Sequence, residues 1–209
     1  MLNGVEVSGR GHIATFVYSK IALPLHVEAL VGSLRGKTVF DLGCAEGIMM
    51  EAFRHLGAHV IGSDVDRGKV AYARQVFGLT GIDERPDAID HQATESVDVL
   101  VSYHTLEHLI QVDSWLSSMT SVLRPGGYLV ISVPNVVIRS TGEAVEMGGD
   151  HLIGFDTASL RRHIEAQGLS VVDIKSDDGS APLQTSDSIL GLPNWSGRRV
   201  DVTVVARRS

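Results

Sequence analysis

Residues 39–47, VFDLGCAEG, constrain the fold of this chain more than any other segment. The run 38–42 is short, apolar and β-branched at two positions, which is typical of a buried strand. Gly43 and Gly47 then bracket a turn, because glycine adopts backbone angles that other residues avoid. Residues 48–56 carry apolar side chains at helical spacing. The pattern predicts a strand, a glycine turn and a helix whose free N–H groups can meet a ligand.

The spacing of the turn argues against a dinucleotide as that ligand. The dinucleotide fingerprint needs glycine at positions i, i+2 and i+5. Counted from Gly43, the second and third of these positions hold Ala45 and Ile48. Asp41 adds an objection, since its carboxylate would repel a pyrophosphate at the mouth of the turn. The same carboxylate suits a ligand with an ammonium group or a positive centre, and S-adenosylmethionine (SAM) has both.

A second acid follows at the distance that a nucleoside site requires. Residues 58–64 are strand-like and end at Asp64, about twenty residues after the glycine turn. In a βαβ unit an acid at this separation meets the ribose hydroxyls, and its two oxygens can accept from both. As alternatives, Asp64 caps the helix predicted over 67–77, and Asp41 caps its turn. We expect the two acids to flank a nucleoside.

Across most of its length the chain resembles the class I SAM-dependent methyltransferases, in particular their broad small-molecule group. Five blocks in the same order carry the resemblance: residues 39–47, 60–64, 97–109 (VDVLVSYHTLEHL), 122–135 (VLRPGGYLVISVPN) and 155–168. The resemblance implies an α/β, Rossmann-like, doubly wound sheet of seven strands in the order 3-2-1-4-5-7-6. Strand 7 would be antiparallel, and helices would cover both faces. The cofactor implied is SAM, and its product is S-adenosylhomocysteine.

Alternation of strand-like and helix-like segments supports a mostly parallel, doubly covered sheet independently. Further strands are predicted at 97–102, 128–133, 169–175 and 200–206, with helices at 112–123 and 157–167. A third strand should lie within 79–92, although Pro86 and several charges weaken its pattern. Pro125-Gly126-Gly127 predicts a turn before the fifth strand.

One compact domain accounts for 209 residues. We expect residues 1–36 to form an N-terminal helical lid and residues 37–209 to form the SAM-binding domain. Arg10, His12 and Tyr18 would close over the site together with the loop at 176–199. This expectation rests on position in the chain, because no motif supports it.

Net charge, hydrophobic patterning and cysteine content limit the classes of partner and the cellular location that the sequence predicts. The net charge of −7, with scattered Lys and Arg residues, argues against a nucleic-acid substrate. No apolar run is long enough to span a membrane and no signal peptide is recognisable, which predicts a cytoplasmic protein. The single cysteine, Cys44, cannot form an internal disulfide and is interpreted as a small turn residue. The expected partner is a small-molecule methyl acceptor, and a homodimer is left open.

The resemblance implies cofactor contacts at or just after the carboxyl ends of strands, where open parallel sheets bind ligands. These residues are Asp41, Gly43, Cys44, Ala45, Gly47, Asp64, Val65, Asp87 and Ser102. The turn would let the backbone approach the methionine end of SAM. Asp64 would hold the ribose, Val65 would pack on the adenine and Asp87 would meet the adenine amino group. The alternative for Asp87 is a solvated charged loop.

The acceptor side is less defined. SAM supplies both the electrophile and the leaving group, so the protein mainly positions the acceptor, and a base is needed only if the acceptor must lose a proton. His104 follows the fourth strand and His151 precedes the fifth block, and both are candidate bases or acceptor contacts. The alternative is a structural hydrogen bond. The side chains expected to wall the acceptor are Tyr103, Phe155, Trp195, Tyr18 and His12. The alternative for Tyr103, Phe155 and Trp195 is a place in the core, where aromatic residues more often lie.

Residues 104–108, HTLEH, also match the H-x-x-E-H pattern of zinc peptidases. That pattern needs a helix and a third ligand from elsewhere, whereas here it directly follows a strand. We therefore expect no metal, and expect Glu107 and His108 to tie the loop to its helix. The predicted function is methyl transfer to an O, N or C nucleophile of a small metabolite. The alternatives are a non-catalytic SAM- or nucleoside-binding sensor or partner subunit and, less favoured, an NAD-dependent oxidoreductase.

Overall fold

The computed structural model describes residues 20–135, 151–176 and 201–209. Its strands are β1 (Thr38–Leu42), β2 (His59–Ser63), β3 (Ile82–Asp83), β4 (Val97–Tyr103), β5 (Leu123–Pro134), β6 (Leu169–Ser176) and β7 (Asp201–Arg208). They form one sheet in the order β3-β2-β1-β4-β5-β7-β6. β7 runs antiparallel to β5 and β6, and the other neighbours are parallel. The predicted fold class and strand order are confirmed.

Five α-helices accompany the sheet within the described residues: α1 (20–31), α2 (Ile48–His55), α3 (Arg67–Phe77), α4 (Val112–Val122) and α5 (Thr157–Ala166). Two short 3-10 helices span Ala88–His91 and Leu106–His108. The carboxylate of Asp66 accepts hydrogen bonds from the N–H groups of Gly68 and Lys69 and so caps the N-terminus of α3. Asp156 and Ser159 form a capping box at the start of α5. Because Asp66 caps α3, Asp64 is available for another role. No helix in the described part of the chain has the length and apolarity to cross a membrane.

Both faces of the sheet are packed. Along β4, Val99 and Val101 pack into the cluster that contains Val27 of α1 and Phe53 of α2. Leu100, between them, belongs to the cluster on the opposite face with α4 and α5. This alternation follows from the two-residue period of a strand and explains why the central strands are apolar at nearly every position.

The described part of the predicted N-terminal lid, residues 20–36, is built into the core. Leu23, Val27 and Leu34 are buried in the same cluster as Val39 of β1. Core packing therefore crosses the predicted division at residue 36. The residues before Lys20 lie outside the described part, so a lid there stays a prediction.

The segment Pro125-Gly126-Gly127, predicted as a turn before the fifth strand, lies within that strand. Leu123 pairs with Val97 and Tyr128 pairs with Val99, so the ladder is interrupted at residues 124–127. Gly126 has a φ of 78°, and a Cβ on Gly127 would lie 2.9 Å from the carbonyl oxygen of Arg124. The segment is an irregularity within β5, which starts at Leu123 rather than at Tyr128.

Candidate functional site

The carboxyl ends of β1, β2 and β4 meet at one edge of the sheet. Leu42, the last residue of β1, is in register with Ser63 on β2 and with Ser102 on β4. α2 begins directly after the glycine turn that follows β1. Asp41, Asp64 and Ser102, which the sequence places at strand ends, therefore share one edge of the fold.

The glycine turn is shaped mainly by the protein's own packing. Gly43, Ala45 and Gly47 have φ values of 80°, 49° and 76°, in the left-handed region that favours glycine. A Cβ on Gly43 would lie 2.9 Å from Cγ2 of Thr105 and nearer still to its hydroxyl, and one on Gly47 would lie 2.6 Å from Leu79 Cδ1. The sequence predicts that these glycines make room for a ligand. The structure adds that their missing side chains are replaced by protein atoms.

Asp64 fastens this turn to the end of β2. Its Oδ2 accepts from the N–H of Ala45 at 2.8 Å, and its Oδ1 accepts from the N–H of Asp66 at 2.8 Å. An ionised carboxylate offers about four acceptor positions, so each oxygen keeps capacity for a further donor. Val65, the next residue, is 65% exposed. The geometry is compatible with the predicted ribose and adenine contacts.

Asp41 is a buried acid with a buried cation nearby. It is 2% exposed, and burial raises its pKa to about 7, while Lys20 opposes the rise and Asp64 adds to it. Lys20 of α1 is buried too, and its Nζ lies 3.6 Å from Oε2 of Glu46 in the turn. Lys20 and Glu46 are absent from the predicted site. The one feature of the sequence that could have pointed to this pair is Lys20, a charged residue within the largely apolar segment that forms α1.

Cys44 and Ser102 are enclosed at the same edge. Burial raises the pKa of the Cys44 thiol above its ordinary range, with Asp41 and Asp64 adding to the effect. Such a thiol is a poor nucleophile, which agrees with the interpretation of Cys44 as a turn residue. The hydroxyl of Ser102 is buried and has no hydrogen-bond partner among the described residues. A buried hydroxyl without a partner is uncommon and marks a place where a ligand or water can bond.

On the acceptor side, Glu107 lies among three histidines. Its Oε1 is 3.7 Å from Nδ1 of His104, 3.9 Å from Nε2 of His108 and 4.0 Å from Nε2 of His151. The N–H groups of Leu152 and Ile153 donate to the Glu107 carbonyl oxygen and so bring His151 to the cluster. Burial raises the pKa of Glu107, and the three imidazoles oppose this rise. The sequence predicts His104 and His151 but misses the carboxylate that joins them.

His104 has a restricted position in this cluster. Its φ is 52°, and its N–H donates to the Ser132 carbonyl oxygen at 2.8 Å. Its Nε2 lies 3.2 Å from Oδ2 of Asp201 on β7, while its Nδ1 faces Glu107. Both ring nitrogens therefore point toward carboxylates. This arrangement suits a residue that positions its neighbours better than a base that contacts an acceptor.

The remaining predicted residues divide into three groups. Tyr103 is buried, with its ring centroid 4.4 Å from that of His104. Phe155 is 1% exposed within the apolar core, and its role as an acceptor wall stays a prediction. Asp87 is exposed, with its Oδ2 3.1 Å from Nε2 of His91. The predicted side chains outside the described residues are Arg10, His12, Tyr18 and Trp195.

The strand order, the acids after β1 and β2 and the glycine turn between them define a Rossmann-like nucleoside-binding protein. The family model described as "Methyltransferase domain" matches residues 17–174, well over half of the chain. The chain belongs to the class I SAM-dependent methyltransferase family, and its cofactor is SAM.

Individual relatives agree with this family. A probable S-adenosylmethionine-dependent methyltransferase of Mycolicibacterium smegmatis is 31% identical over 146 residues, which are 70% of this chain and 57% of the relative. A ubiquinone biosynthesis O-methyltransferase of Brucella anthropi is 28% identical over 127 residues, 56% of this chain and 49% of the relative. The chain thus spans about half the length of the curated relatives it matches.

A solved SAM-dependent methyltransferase from Mesorhizobium loti shares the fold. It has a TM-score of 0.65 and 21% sequence identity, and the match covers 88% of this chain and 96% of that structure.

Proposed function

We propose that this protein transfers the methyl group of SAM to an O, N or C nucleophile of a small metabolite. The observation that carries the proposal is the clamp between Asp64 and the N–H of Ala45, which fixes a glycine turn between two acids. The curated relative named as a ubiquinone biosynthesis O-methyltransferase supports a small-molecule acceptor. Oligomeric state and a cytoplasmic location stay predictions.

The described residues fit SAM. Its ammonium group would lie near Asp41, where a cation offsets the cost of keeping a carboxylate ionised inside the protein. The ribose hydroxyls would bond the remaining lone pairs of Asp64, and the adenine would cover the exposed side chain of Val65. In each of these placements SAM would contact a carboxylate, a lone pair or an apolar surface that the described protein contacts do not fully use.

The acceptor would approach from the end of β4. When bound, SAM supplies the electrophilic methyl group and the leaving thioether. Ser102 and His151 are the polar side chains that we assign to acceptor contact, whereas His104 positions Glu107 and packs on Tyr103. Holding the acceptor in line is the main contribution of the protein, because effective molarity alone can lower such barriers by roughly 7–11 kcal/mol.

Calorimetry with SAM, S-adenosylhomocysteine and NAD tests the cofactor half of the proposal. We expect heats with the first two ligands and none with NAD. Asp64→Ala should weaken SAM binding, while Asp66→Ala, which removes a neighbouring acid that caps α3, should not. Binding of NAD without binding of SAM would overturn the proposal.

A turnover assay tests the second half of the proposal, the transfer of the methyl group to a small metabolite. Purified protein is incubated with methyl-labelled SAM and a metabolite extract, and label in small molecules is separated from label in protein and nucleic acid. We expect label in the small-molecule fraction, at a level that Asp64→Ala reduces. Tight SAM binding with no transfer in any fraction would instead favour the non-catalytic sensor.

A further inference from the structure

We propose that Glu107, His108 and His151 form a binding site for a divalent transition-metal ion of the zinc type. From sequence alone the HTLEH segment lacks the third ligand that a zinc site requires. Folding supplies that ligand, because the backbone bonds from Leu152 and Ile153 to Glu107 bring His151 to the segment. The ligand atoms of the three side chains lie within 4.8 Å of one another.

The spacing of the ligand atoms is close to that of an occupied site. The Glu107 oxygen Oε1 lies 3.9 Å from Nε2 of His108 and 4.0 Å from Nε2 of His151. In a tetrahedral zinc site with bonds of about 2.0–2.1 Å, ligand atoms are about 3.3 Å apart. The carboxylate must therefore approach each imidazole by less than about 1 Å, and the two imidazole nitrogens, which lie within 4.8 Å, must approach each other by at most about 1.5 Å.

The state of Glu107 is an independent indication of a ligand. Its side chain is 2% exposed, and neither carboxylate oxygen has a hydrogen-bond partner in the described chain. A buried carboxylate is costly unless it is paired or coordinates a metal. The three imidazoles around it are too distant for hydrogen bonds yet converge on one oxygen. A cation bound by Glu107, His108 and His151 would supply the partner that the carboxylate lacks.

His104, which is not one of the three proposed ligands, lies beside the carboxylate of Glu107. His104 lies between Asp201 and Glu107, with its two ring nitrogens 3.2 Å and 3.7 Å from their oxygens. Residues that orient metal ligands in this way commonly change metal affinity by about 10–100-fold when they are removed. His104, which Asp201 contacts on its other side, is therefore a positioning residue beside Glu107.

The donor set selects the type of ion. Two imidazoles and one carboxylate suit Zn²⁺, Co²⁺ or Fe²⁺, whereas Mg²⁺ prefers oxygen ligands. Three protein ligands leave one coordination position open, which is the arrangement of catalytic zinc sites. The side chains of His108 and His151 are 35% and 19% exposed, so solvent reaches the site. An oxygen of a methyl acceptor bound there would lose its proton more easily; this last step rests on the proposed function, but metal binding does not.

The test is a titration of the tag-free, metal-stripped 209-residue protein with Co²⁺, in the absence of SAM and of any acceptor. We expect one bound ion per chain with the visible absorption of four- or five-coordinate Co²⁺, displaced by Zn²⁺ and not by Mg²⁺. Glu107→Gln, His108→Ala and His151→Ala should each weaken binding at least about tenfold. His91→Ala and His163→Ala are matched controls, because each removes a surface histidine paired with one acid.

Equal Co²⁺ affinity in His151→Ala and in the two controls, or a six-coordinate aqueous spectrum throughout, would overturn the proposal. If Glu107→Gln fails to fold, the histidine variants decide the question, since both side chains are partly exposed. Thermal unfolding of each variant checks its fold. Absence of methyl transfer in a protein that binds Co²⁺ would count against the proposed function alone.

Discussion

Replacement of Gly43 by alanine is expected to destabilise the protein through two separable effects. The φ of 80° places any L-residue in the left-handed region, which costs about 1–2 kcal/mol. The new Cβ would also overlap Thr105, 2.9 Å from its Cγ2 and nearer to its hydroxyl. Overpacking of this kind costs about 1–3 kcal/mol. Gly43→Ala should therefore lower the free energy of unfolding by about 2–5 kcal/mol.

A second substitution isolates the steric part. Thr105→Ala removes Oγ1 and Cγ2, the two nearest atoms, and keeps Cβ, which lies 3.0 Å from the position of the new methyl group. It also removes the hydroxyl contacts at 3.2 Å and 3.3 Å with the carbonyl oxygens of Leu42 and Tyr103. Alone it should cost about 0.5–1.5 kcal/mol. In the double variant the methyl group introduced at position 43 extends into the vacated space, so most of the steric cost of Gly43→Ala is relieved and its backbone cost remains. The cycle should show a favourable coupling of about 1–3 kcal/mol.

Gly78→Ala is the matched control for this cycle. Gly78 has a φ of 67°, yet nothing lies within 4 Å of the position that a Cβ would take there. It should therefore show the backbone cost alone and no coupling to Thr105→Ala. Urea unfolding of the parent and of each variant at one pH measures these terms. If Gly43→Ala costs no more than Gly78→Ala, or if Thr105→Ala fails to relieve it, the packing assigned to the turn is wrong.

Three further outcomes are expected. Asp64→Ala should lower both SAM affinity and the melting temperature, because two backbone N–H groups lose their acceptor; SAM affinity equal to that of the parent in calorimetry would remove Asp64 from the site. The Asp41 pKa of about 7 exceeds its ordinary 3.8, so the folded state holds the extra proton and ligand-free stability should fall as pH rises from about 4 to about 7. Urea unfolding across this range should show a flatter profile for Asp41→Asn, and equal slopes would contradict the assignment. Phe155→Ala should lower the free energy of unfolding by about 3–5 kcal/mol and leave SAM affinity unchanged, because it opens a cavity in the core. A raised KM for the acceptor without loss of stability would instead favour the acceptor wall.

Local patterns predict the cofactor half of this fold well. The strand that ends near Asp41, the glycine turn and the strand that ends before Asp64 lie close together in sequence, so one βαβ unit contains the required signals. The order of all seven strands follows from the resemblance instead of from the residues. β3 is weakly predicted because only Ile82 and Asp83 pair with β2, which is too short for a periodic pattern.

Long-range contacts account for what the sequence does not predict. Lys20 approaches Asp41 from α1, and His151 approaches Glu107 from beyond α4 and β5. Neither pair has a characteristic spacing, because each depends on how separate elements pack. The burial of Phe155 also depends on long-range packing, because α5 and the sheet enclose it.

The place of β7 in the sheet links the order of synthesis to completion of the site. β7 follows β5 and β6 in the chain but lies between them, and β6 pairs with the sheet through β7. While residues 201–208 are still within the ribosome, one edge of β5 keeps its backbone groups unpaired. The same strand brings Asp201 to His104. A nascent chain could therefore assemble the nucleoside half early, whereas the contact between His104 and Asp201 must await the synthesis of β7.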